Sequence, residues 1–285
     1  MIARLRPWLI YPAVMATTFA LFAVLQSIGA PLLVSTYLPG LFAAGIVTLL
    51  ELAWPHRSDW RPPISEVKTD LGFMTIVQVA LPPLVSLAFA LMLVEPARAL
   101  NLPIARVWPH DWPIWLQAVL MILVVDLLRY GLHRAAHEND TLWKLHSVHH
   151  SVEQLYWLNT ARFHPLEKTL QMSLDSLPFL LMGVHQQVLA LYFLAYSTNG
   201  FFQHCNIELK YGFLNYIVGS AETHRWHHSR VPKESNANYG NTVIIWDLVF
   251  GTWYLPRTRD VQDLGLQDRA YPKSFWSLMR APFVQ

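Results

Sequence analysis

The chain has 285 residues, of which 53% are hydrophobic and only 14% charged, and its formal net charge is +2. Soluble domains carry about 25% charged residues, so this composition argues against a soluble domain and favours a single integral membrane unit. A net charge this small, without a block of like charges, predicts no nucleic-acid partner. The single cysteine, Cys205, excludes an internal disulfide and any thiolate-built metal or iron–sulfur site. Nitrogen and oxygen atoms must therefore hold any metal that binds.

Four apolar segments are long enough to cross a bilayer as helices, which takes about 20 residues. In chain order they cover residues 8–28, 32–54, 71–94 and 113–128. The second is interrupted only by Glu51 near its end, and the third contains Pro82 and Pro83, which predict a kink in its middle. The fourth leads through Asp126 into the first histidines.

Basic residues predict which ends of these spans face the cytoplasm, because Lys and Arg accumulate in cytoplasmic loops. One side carries Arg4, Arg6, Arg57, Arg61, Lys68, Arg129, Arg134 and Lys144. The other side offers only Arg98 and Arg106. The N-terminus and the first histidine cluster are therefore predicted to be cytoplasmic. Basic residues before an apolar stretch would also suit a signal peptide, but three further spans favour an anchor that the protein retains.

Residues 170–203 contain two apolar halves that meet at 183–187, and each half is short for a full span. This pattern predicts a helical hairpin, either re-entrant or fully crossing, which returns the chain to the side it left. The histidine cluster HRWHH at 224–228 then lies on the same face as the first histidines. The last apolar segment, 243–255, is too short to span the bilayer and is predicted to cover the site.

Three short windows, HRAAH at 133–137, HSVHH at 146–150 and HRWHH at 224–228, contain eight of the thirteen histidines. On a helix, positions four apart differ by about 40° around the axis, and positions three apart by about 60° in the other direction. His133 and His137 therefore share a face, whereas the three histidines of each later window fan over roughly 100°. A fan of three can divide between two metal ions, so eight imidazoles suit two metals with about four ligands each.

Interpretations without a metal pair fit these clusters less well. Eight buried imidazoles without metal would each need a hydrogen-bond partner, because an unpaired buried polar group costs about 1–3 kcal/mol. A bis-histidine haem uses only two axial histidines, and three adjacent windows with eight histidines supply more than one haem needs. Isolated histidines elsewhere, namely His56, His110 and His185, are predicted to be structural.

Carboxylates and amides near the clusters are candidates for orienting the ligands. A metal-bound histidine usually donates its other N–H to a carboxylate or carbonyl. Asp126 precedes His133 by seven residues, or two helical turns, and is predicted to lie on the same face. Further candidates for this role are Glu222, Asn238 and Asp247.

These motifs resemble those of the sterol desaturase / fatty acid hydroxylase superfamily of membrane di-iron oxygenases. The superfamily has one HxxxH box and two HxxHH boxes, which match HRAAH, HSVHH and HRWHH in order. Four further stretches are similar in order and spacing: RFHPLE (162–167), FFQHCN (201–206), NYGN (238–241) and WDLVFGTWY (246–254). The resemblance covers roughly residues 115–256, and the ordered set of motifs is far more specific than any single box.

The resemblance implies two iron ions held by histidines, with O2 as co-substrate. The implied ligands are His133, His137, His146, His149, His150, His204, His224, His227 and His228. His164, in the RFHP motif, is implied to orient a ligand or to have a structural role. Because the sequence shows no cytochrome-like domain, a separate electron donor is implied, such as a reductase, a cytochrome or a ferredoxin.

The sequence as a whole predicts an all-α, polytopic membrane helical bundle of four spans plus a hairpin, with a cytoplasmic histidine-lined metal site. Residues 1–112 are predicted to form N-terminal membrane spans, 113–256 a fatty acid hydroxylase-like catalytic region, and 257–285 a C-terminal tail. The predicted activity is O2-dependent hydroxylation or desaturation of a lipid C–H bond. Sterol-like lipids, fatty acyl chains, ether lipids and carotenoids stay open as substrates.

Two other functions stay open at this point. A zinc-dependent intramembrane hydrolase would need a general base beside the metal, and the sequence contains no HExxH motif. A metal transporter predicts ionisable residues along the spans themselves. The first and third spans contain no charged residue, and the histidines lie beyond the span ends, which favours catalysis at the cytoplasmic face.

Overall fold

The computed structural model describes residues 2–99 and 107–284, and this part of the chain is all-helical, as predicted. In chain order the α-helices are α1 (Ile2–Ser27), α2 (Leu32–Ala53), α3 (Ile64–Gly72), α4 (Leu81–Phe89), α5 (Glu95–Ala99), α6 (Ile114–Glu138), α7 (Asp140–His150), α8 (Pro165–Leu181), α9 (Gln186–His204), α10 (Ala221–His227), α11 (Pro232–Ser235), α12 (Ile245–Phe250) and α13 (Phe275–Val284). Extended pairing within the described residues is limited to three isolated bridges.

Four helices are long and apolar enough to cross a membrane: Arg4–Ser27, Leu32–Ala53, Ile64–Ala97 and Ile114–Glu138. They coincide with the four apolar segments of the sequence, so the prediction of four candidate spans is confirmed. Which of their ends faces the cytoplasm stays a prediction. Of the basic residues on which it rests, Arg106 and the side chain of Arg98 lie outside the described part of the chain.

The third span passes through its two prolines by changing helix type. Pro82 and Pro83 lie in the first turn of α4, and π-helical segments cover 73–80 and 90–94 on either side. Proline has no N–H to donate, so the α-helical hydrogen-bond pattern is interrupted near it. The chain compensates with wider turns, in which the Leu81 N–H donates to the Ile76 carbonyl.

The region predicted to form a hairpin consists of α8 and α9 joined by a short turn, and α9 packs against α1, α2 and α6. The turn between the two helices contains Gly183, whose φ of +68° favours glycine. Along α9, the side chains of Val188, Leu194 and Phe202 are fully buried against neighbouring helices. Tyr11 of α1 also donates a 2.9 Å hydrogen bond to Asn199 of α9. This packing fixes the end of α9, where His204 is the last residue.

A sharp reversal after the fourth span brings the first two histidine windows together. Asn139 ends α6 and caps α7, because its side-chain oxygen accepts from the N–H groups of Thr141 and Leu142. The C-terminal segment then packs onto α7. Tyr271 shares a 2.8 Å hydrogen bond with Ser147, and Leu278 of α13 is buried in the same cluster as residues of α7 and the third span.

Candidate metal centre

Four helices deliver nine histidines to one region of the protein. They come from the end of α6, from the last two turns of α7, from the last residue of α9, and from α10 with the residue that follows it. The first group contains His133, His137, His146, His150 and His227, and the second contains His149, His204, His224 and His228. Within each group the candidate ligand atoms all lie within 4.8 Å of one another.

The two HxxHH windows each divide between the groups. On α7, His146 and His150 are four residues apart and join the first group, while His149 turns to the second. On α10 the division is reversed, because His227 joins the first group and His224 pairs with His228 in the second. This division is the one that a fan of about 100° on each helix predicts.

Most of these rings have one nitrogen occupied by an oxygen of the protein. Side-chain oxygens lie beside Nδ1 in three of them: Glu167 with His146 (2.7 Å), Asn159 with His204 (2.7 Å) and Asn236 with His137 (3.0 Å). Backbone carbonyls lie beside Nδ1 in three more: Tyr239 with His133 (2.8 Å), Ala237 with His227 (2.8 Å) and Arg162 with His149 (3.3 Å). Such contacts place the proton on Nδ1 and leave the Nε2 lone pair free.

The free nitrogens converge in a way that hydrogen bonds cannot satisfy. The Nε2 atom of His150 lies 3.1 Å from the Nε2 atoms of His137, His146 and His227. Those three rings keep their proton on Nδ1, so lone pairs face each other across the first group. A metal–nitrogen bond of about 2.1 Å places ligands at right angles about 3.0 Å apart, which matches these separations. The donor set therefore fits a cation at its centre.

The Nε2 atoms of the second group also converge, although Nδ1 of His224 and of His228 has no hydrogen-bond partner among the described residues. The Nε2 atom of His224 lies 3.0 Å from that of His204 and 3.1 Å from that of His228. Burial lowers the pKa of His224 to about 3. Burial, followed by neighbouring imidazoles, holds the pKa values of His149 and His228 well below their ordinary value. The rings are therefore neutral at pH 7, the protonation state in which imidazole binds a metal.

The residues predicted to orient the ligands have other partners in the structure. Asp126 accepts the Val243 N–H through Oδ2, and Glu222 accepts the N–H of Tyr211 at 2.7 Å. The seven-residue spacing does place Asp126 on the His133 face, but about 10.5 Å away along the α6 axis. These carboxylates instead accept hydrogen bonds from backbone N–H groups of loops. A buried N–H group needs an acceptor, just as the free N–H of a metal-bound histidine does.

The other residues predicted to orient the ligands form hydrogen bonds with the backbone around the site. Among the described residues, none of these bonds is to a histidine ring of the two groups. Asn238, in the left-handed region with φ +57°, donates to the carbonyls of Thr223 and Tyr254. Asp247 accepts the N–H of Tyr239 at 2.8 Å, and so acts on His133 indirectly through the Tyr239 carbonyl. His164 caps α8 by accepting the Leu166 N–H.

Sequence reasoning missed three side chains that do contact the rings: Glu167, Asn159 and Asn236. Glu167 ends the RFHPLE motif and lies in the first turn of α8, so its motif was a usable signal. Asn159 and Asn236 lie in a short 3-10 helix and at the end of α11, where the sequence offers no comparable pattern.

A buried ion pair supports the wall of the second group. Arg162 contacts Asp70 through two bonds, Nε to Oδ1 at 2.6 Å and Nη2 to Oδ2 at 2.9 Å. Asp70 also accepts from the hydroxyl of Tyr156. The pair ties the third span to the segment 156–162, which presents Asn159 to His204 and the Arg162 carbonyl to His149.

A cavity of about 270 Å³ adjoins both histidine groups. Its walls are largely apolar and include residues of α2, the third span and α9, such as Leu41, Met74 and Phe201. Its lining also includes His133 and His146 of the first group, and His149, His204 and His224 of the second. A molecule in this cavity would therefore lie against both candidate metal positions.

Comparisons with known proteins show which family the chain resembles in sequence. The profile of the fatty acid hydroxylase family matches residues 118–252. The ornithine lipid hydroxylase OlsE of Rhizobium tropici is 32% identical over 248 residues, which cover 85% of this chain and 74% of that protein. The alkylglycerol monooxygenase of Danio rerio is 34% identical over 146 residues, covering 51% of this chain and 31% of that protein.

A very-long-chain aldehyde decarbonylase, GL1-9 of Oryza sativa subsp. indica, is 29% identical over 147 residues, covering 49% of this chain and 56% of that protein. No solved structure gives a significant match. The similarity to the bacterial hydroxylase extends over most of both chains, and the similarity to the other two covers only part of each. By this match and by its ordered histidine boxes, the chain belongs to the fatty acid hydroxylase family, within the superfamily that its sequence resembles.

Proposed function

We propose that the protein is an O2-dependent di-iron monooxygenase that hydroxylates a C–H bond of a membrane lipid. The observation that carries the proposal is the apolar cavity that adjoins both histidine groups. The apolar walls suit a lipid chain, whose carbons would then lie beside both groups. Membership of the fatty acid hydroxylase family supports the same activity.

In this proposal His133, His137, His146, His150 and His227 hold one ion, and His149, His204, His224 and His228 hold the other. Imidazole serves iron, zinc and copper alike, so the donor atoms alone do not select the metal. Iron is favoured because relatives of this chain are named as a hydroxylase and a monooxygenase. When bound, two iron ions supply the redox chemistry that reduces O2 and inserts one oxygen atom into a C–H bond.

The residues of the chain itself have three tasks in this activity. Glu167, Asn159 and Asn236 orient ligand rings through Nδ1 and keep their proton away from the metal side. The apolar walls bind the lipid and exclude water from the histidines. The ion pair of Arg162 with Asp70 keeps the third span, which lines the cavity, in register with the histidine-bearing segment.

The proposed reaction is hydroxylation rather than desaturation, and the proposed substrate is a lipid with a polar headgroup. The names of two relatives refer to an ornithine lipid and to an alkylglycerol, each a lipid of this kind. The zinc hydrolase and the metal transporter gain no support from these relatives. We further propose a multi-pass membrane protein with the metal site on the cytoplasmic side. There a separate reductase, cytochrome or ferredoxin would deliver the electrons.

Metal analysis of the purified protein, paired with mass spectrometry of lipids from cells with and without it, tests the proposal. We expect two irons per chain and a lipid that gains one oxygen atom. His204→Ala should lower both. His185→Asn is the matched control, because His185 caps α9 away from the site and asparagine also caps helices. Bound zinc that iron cannot replace, with no lipid change, would indicate a hydrolase, and loss of two hydrogens would indicate a desaturase.

A further inference from the structure

Part of the cavity wall is polar and charged, although the bundle around it is apolar. Where α6, α8 and α9 meet, the structure buries Arg129, Lys168 and Asp175, which are 6%, 3% and 8% exposed. Glu167 and Gln171 of α8 are buried beside them. Charged groups are costly to bury unless they are paired, so their presence calls for an explanation.

The two cations of this cluster converge on one phenol. Lys168 Nζ donates to the hydroxyl of Tyr196 at 2.9 Å, and Arg129 Nη2 donates to the same oxygen at 3.2 Å. The Nε atom of Arg129 lies 3.5 Å from Asp175 Oδ1. Asp126, one turn earlier on α6, is another carboxylate near Arg129, and its Oδ2 accepts the Val243 N–H.

The cluster is incomplete within the described residues. Five buried atoms of the cluster and of the neighbouring Asp126 have no hydrogen-bond partner there: Nη1 of Arg129, Oε2 of Glu167, Oε1 of Gln171, and Oδ1 of both Asp126 and Asp175. Native proteins satisfy nearly all such groups, so the three that belong to cavity-lining residues, Arg129, Glu167 and Gln171, point to a missing partner. The set combines a cationic donor on α6 with a carboxylate and an amide acceptor on α8.

Arg129, Glu167 and Gln171 line the cavity, whereas Asp126 and Asp175 are not among its lining residues. The cluster is also close to the histidines. Glu167 Oε1 accepts from Gln171 and contacts Nδ1 of His146, and Arg129 precedes His133 by four residues, about 6 Å along the helix. A ligand that completed the cluster would therefore have its polar end close to the histidines of the first group.

We propose that Arg129, Glu167 and Gln171 form the binding site for the headgroup of the lipid substrate. The headgroup they fit carries an anionic acceptor for Arg129 and an N–H donor for Glu167 or Gln171, as an amino-acid headgroup does. The inference rests on the proposed lipid hydroxylase activity and deepens it. The oxidised carbon then lies at or near the headgroup end of the lipid and not in the middle of an acyl chain.

The test measures binding to the full-length protein as purified, in nanodiscs and without an electron donor, so it is independent of turnover. The probes are three synthetic lipids with identical chains: an N-acyl diamino-acid lipid, its carboxyl methyl ester and its N-acetyl derivative. We expect the parent lipid to bind at least tenfold more tightly than either derivative. Arg129→Gln should remove the preference over the methyl ester, and Arg129→Lys should restore part of it.

Arg134→Gln is the matched control, because Arg134 is exposed on the same helix and pairs with Glu138. It should leave all three affinities unchanged. Equal binding of the three lipids to the unmodified protein would overturn the headgroup site even if Arg129→Gln failed to fold. A protein that hydroxylates lipids but shows no such preference contradicts this inference alone. A protein without iron and without lipid oxidation contradicts the proposed function.

Discussion

The carboxylate of Glu167 and the imidazole of His146 form a buried pair, with Oε1 2.7 Å from Nδ1. The pair fixes the proton on Nδ1 and directs Nε2 into the first histidine group. Loss of such an outer partner typically weakens metal binding 10–100-fold. We expect Glu167→Ala to weaken binding at the first position by about this factor, measured by competition with a chelator.

The matched control for this prediction is Glu153→Gln. Glu153 is a partly exposed carboxylate that pairs with Lys273 and Arg269 and has no described contact with a histidine. Its substitution should leave metal affinity unchanged. Equal metal affinity in Glu167→Ala and Glu153→Gln would show that the Glu167 contact does not support the site.

The ion pair of Arg162 with Asp70 gives a prediction about stability. Both side chains are nearly inaccessible, at 2% and 0% exposure. Removal of one partner from a buried pair leaves an uncompensated charge and costs about 3–5 kcal/mol. Arg162→Met should therefore lower the thermal midpoint strongly, whereas the double variant with Asp70→Leu should recover part of the loss. Arg57→Gln, at an exposed pair with Asp59, should leave the thermal midpoint nearly unchanged.

A glycine beside the first group is expected to be irreplaceable. A Cβ on Gly240 would overlap the Val243 carbonyl and lie 2.9 Å from Asp247 Oδ2. Gly240→Ala must therefore displace the segment whose Tyr239 carbonyl accepts from His133. We expect less metal at the first position, read by metal analysis. Gly131→Ala, where a Cβ meets nothing within 4 Å, should retain full metal content. Equal loss in both variants would contradict the steric argument.

The cavity predicts a variant that separates metal binding from lipid binding. Gly200 lines the cavity, and a Cβ there meets only Thr160 Oγ1 at 3.5 Å, so a larger side chain can extend into the open space. Gly200→Leu should keep both metals and reduce lipid hydroxylation at least tenfold. Gly131→Leu, at an exposed position on α6, is the matched control. Unchanged turnover in Gly200→Leu would show that lipid does not use this cavity.

Acid should destabilise the metal-free protein because its histidines are buried as neutral rings. Burial places the folded-state pKa values of His150 and His227 well below the ordinary value of 6.5, and that of His224 at about 3. The contribution of these neutral rings to the free energy of unfolding is complete above pH 6.5. It is lost as the pH falls toward the folded-state pKa values. Each proton taken up on unfolding lowers the free energy of unfolding by about 1.4 kcal/mol per pH unit.

Urea unfolding between pH 7.5 and pH 5 measures this slope. The slope reports the number of protons that the chain takes up on unfolding, and His224→Asn should lower that number by close to one within this range. A free energy of unfolding that is independent of pH below 6.5 would contradict the buried neutral state.

Local features of the sequence predicted the candidate spans and the clustering of the histidines. The four candidate spans depend on the length of an apolar run, and the hairpin on a glycine-containing break at 183–187; both are properties of neighbouring residues. The division of His146 and His150 from His149 follows from the angles between positions three and four apart on one helix. Such features need no knowledge of the rest of the fold, which is why the eight histidines of the three windows could be grouped from the sequence, whereas His204 was implied only by the family resemblance.

The outer contacts could not be predicted in the same way. Asp126 and Glu222 are carboxylates at plausible spacings, yet they accept backbone N–H groups of Val243 and Tyr211. Glu167 contacts His146 because α8 packs beside α7, and no periodicity within either helix reports that distance. A partner for a ring is selected by geometry between segments, and several carboxylates of similar sequence context compete for it.

The sequence by itself determined the helical membrane spans and the clustering of histidines that could bind metal, because hydrophobic length and helical spacing act over a few turns. Only the tertiary structure decided that five rings face one position and four the other. It also decided that Glu167, Asn159 and Asn236 hold those rings, and that Arg129 and Gln171 border the same cavity. These relationships join residues up to about a hundred positions apart, and the packing of apolar helix faces sets their distances.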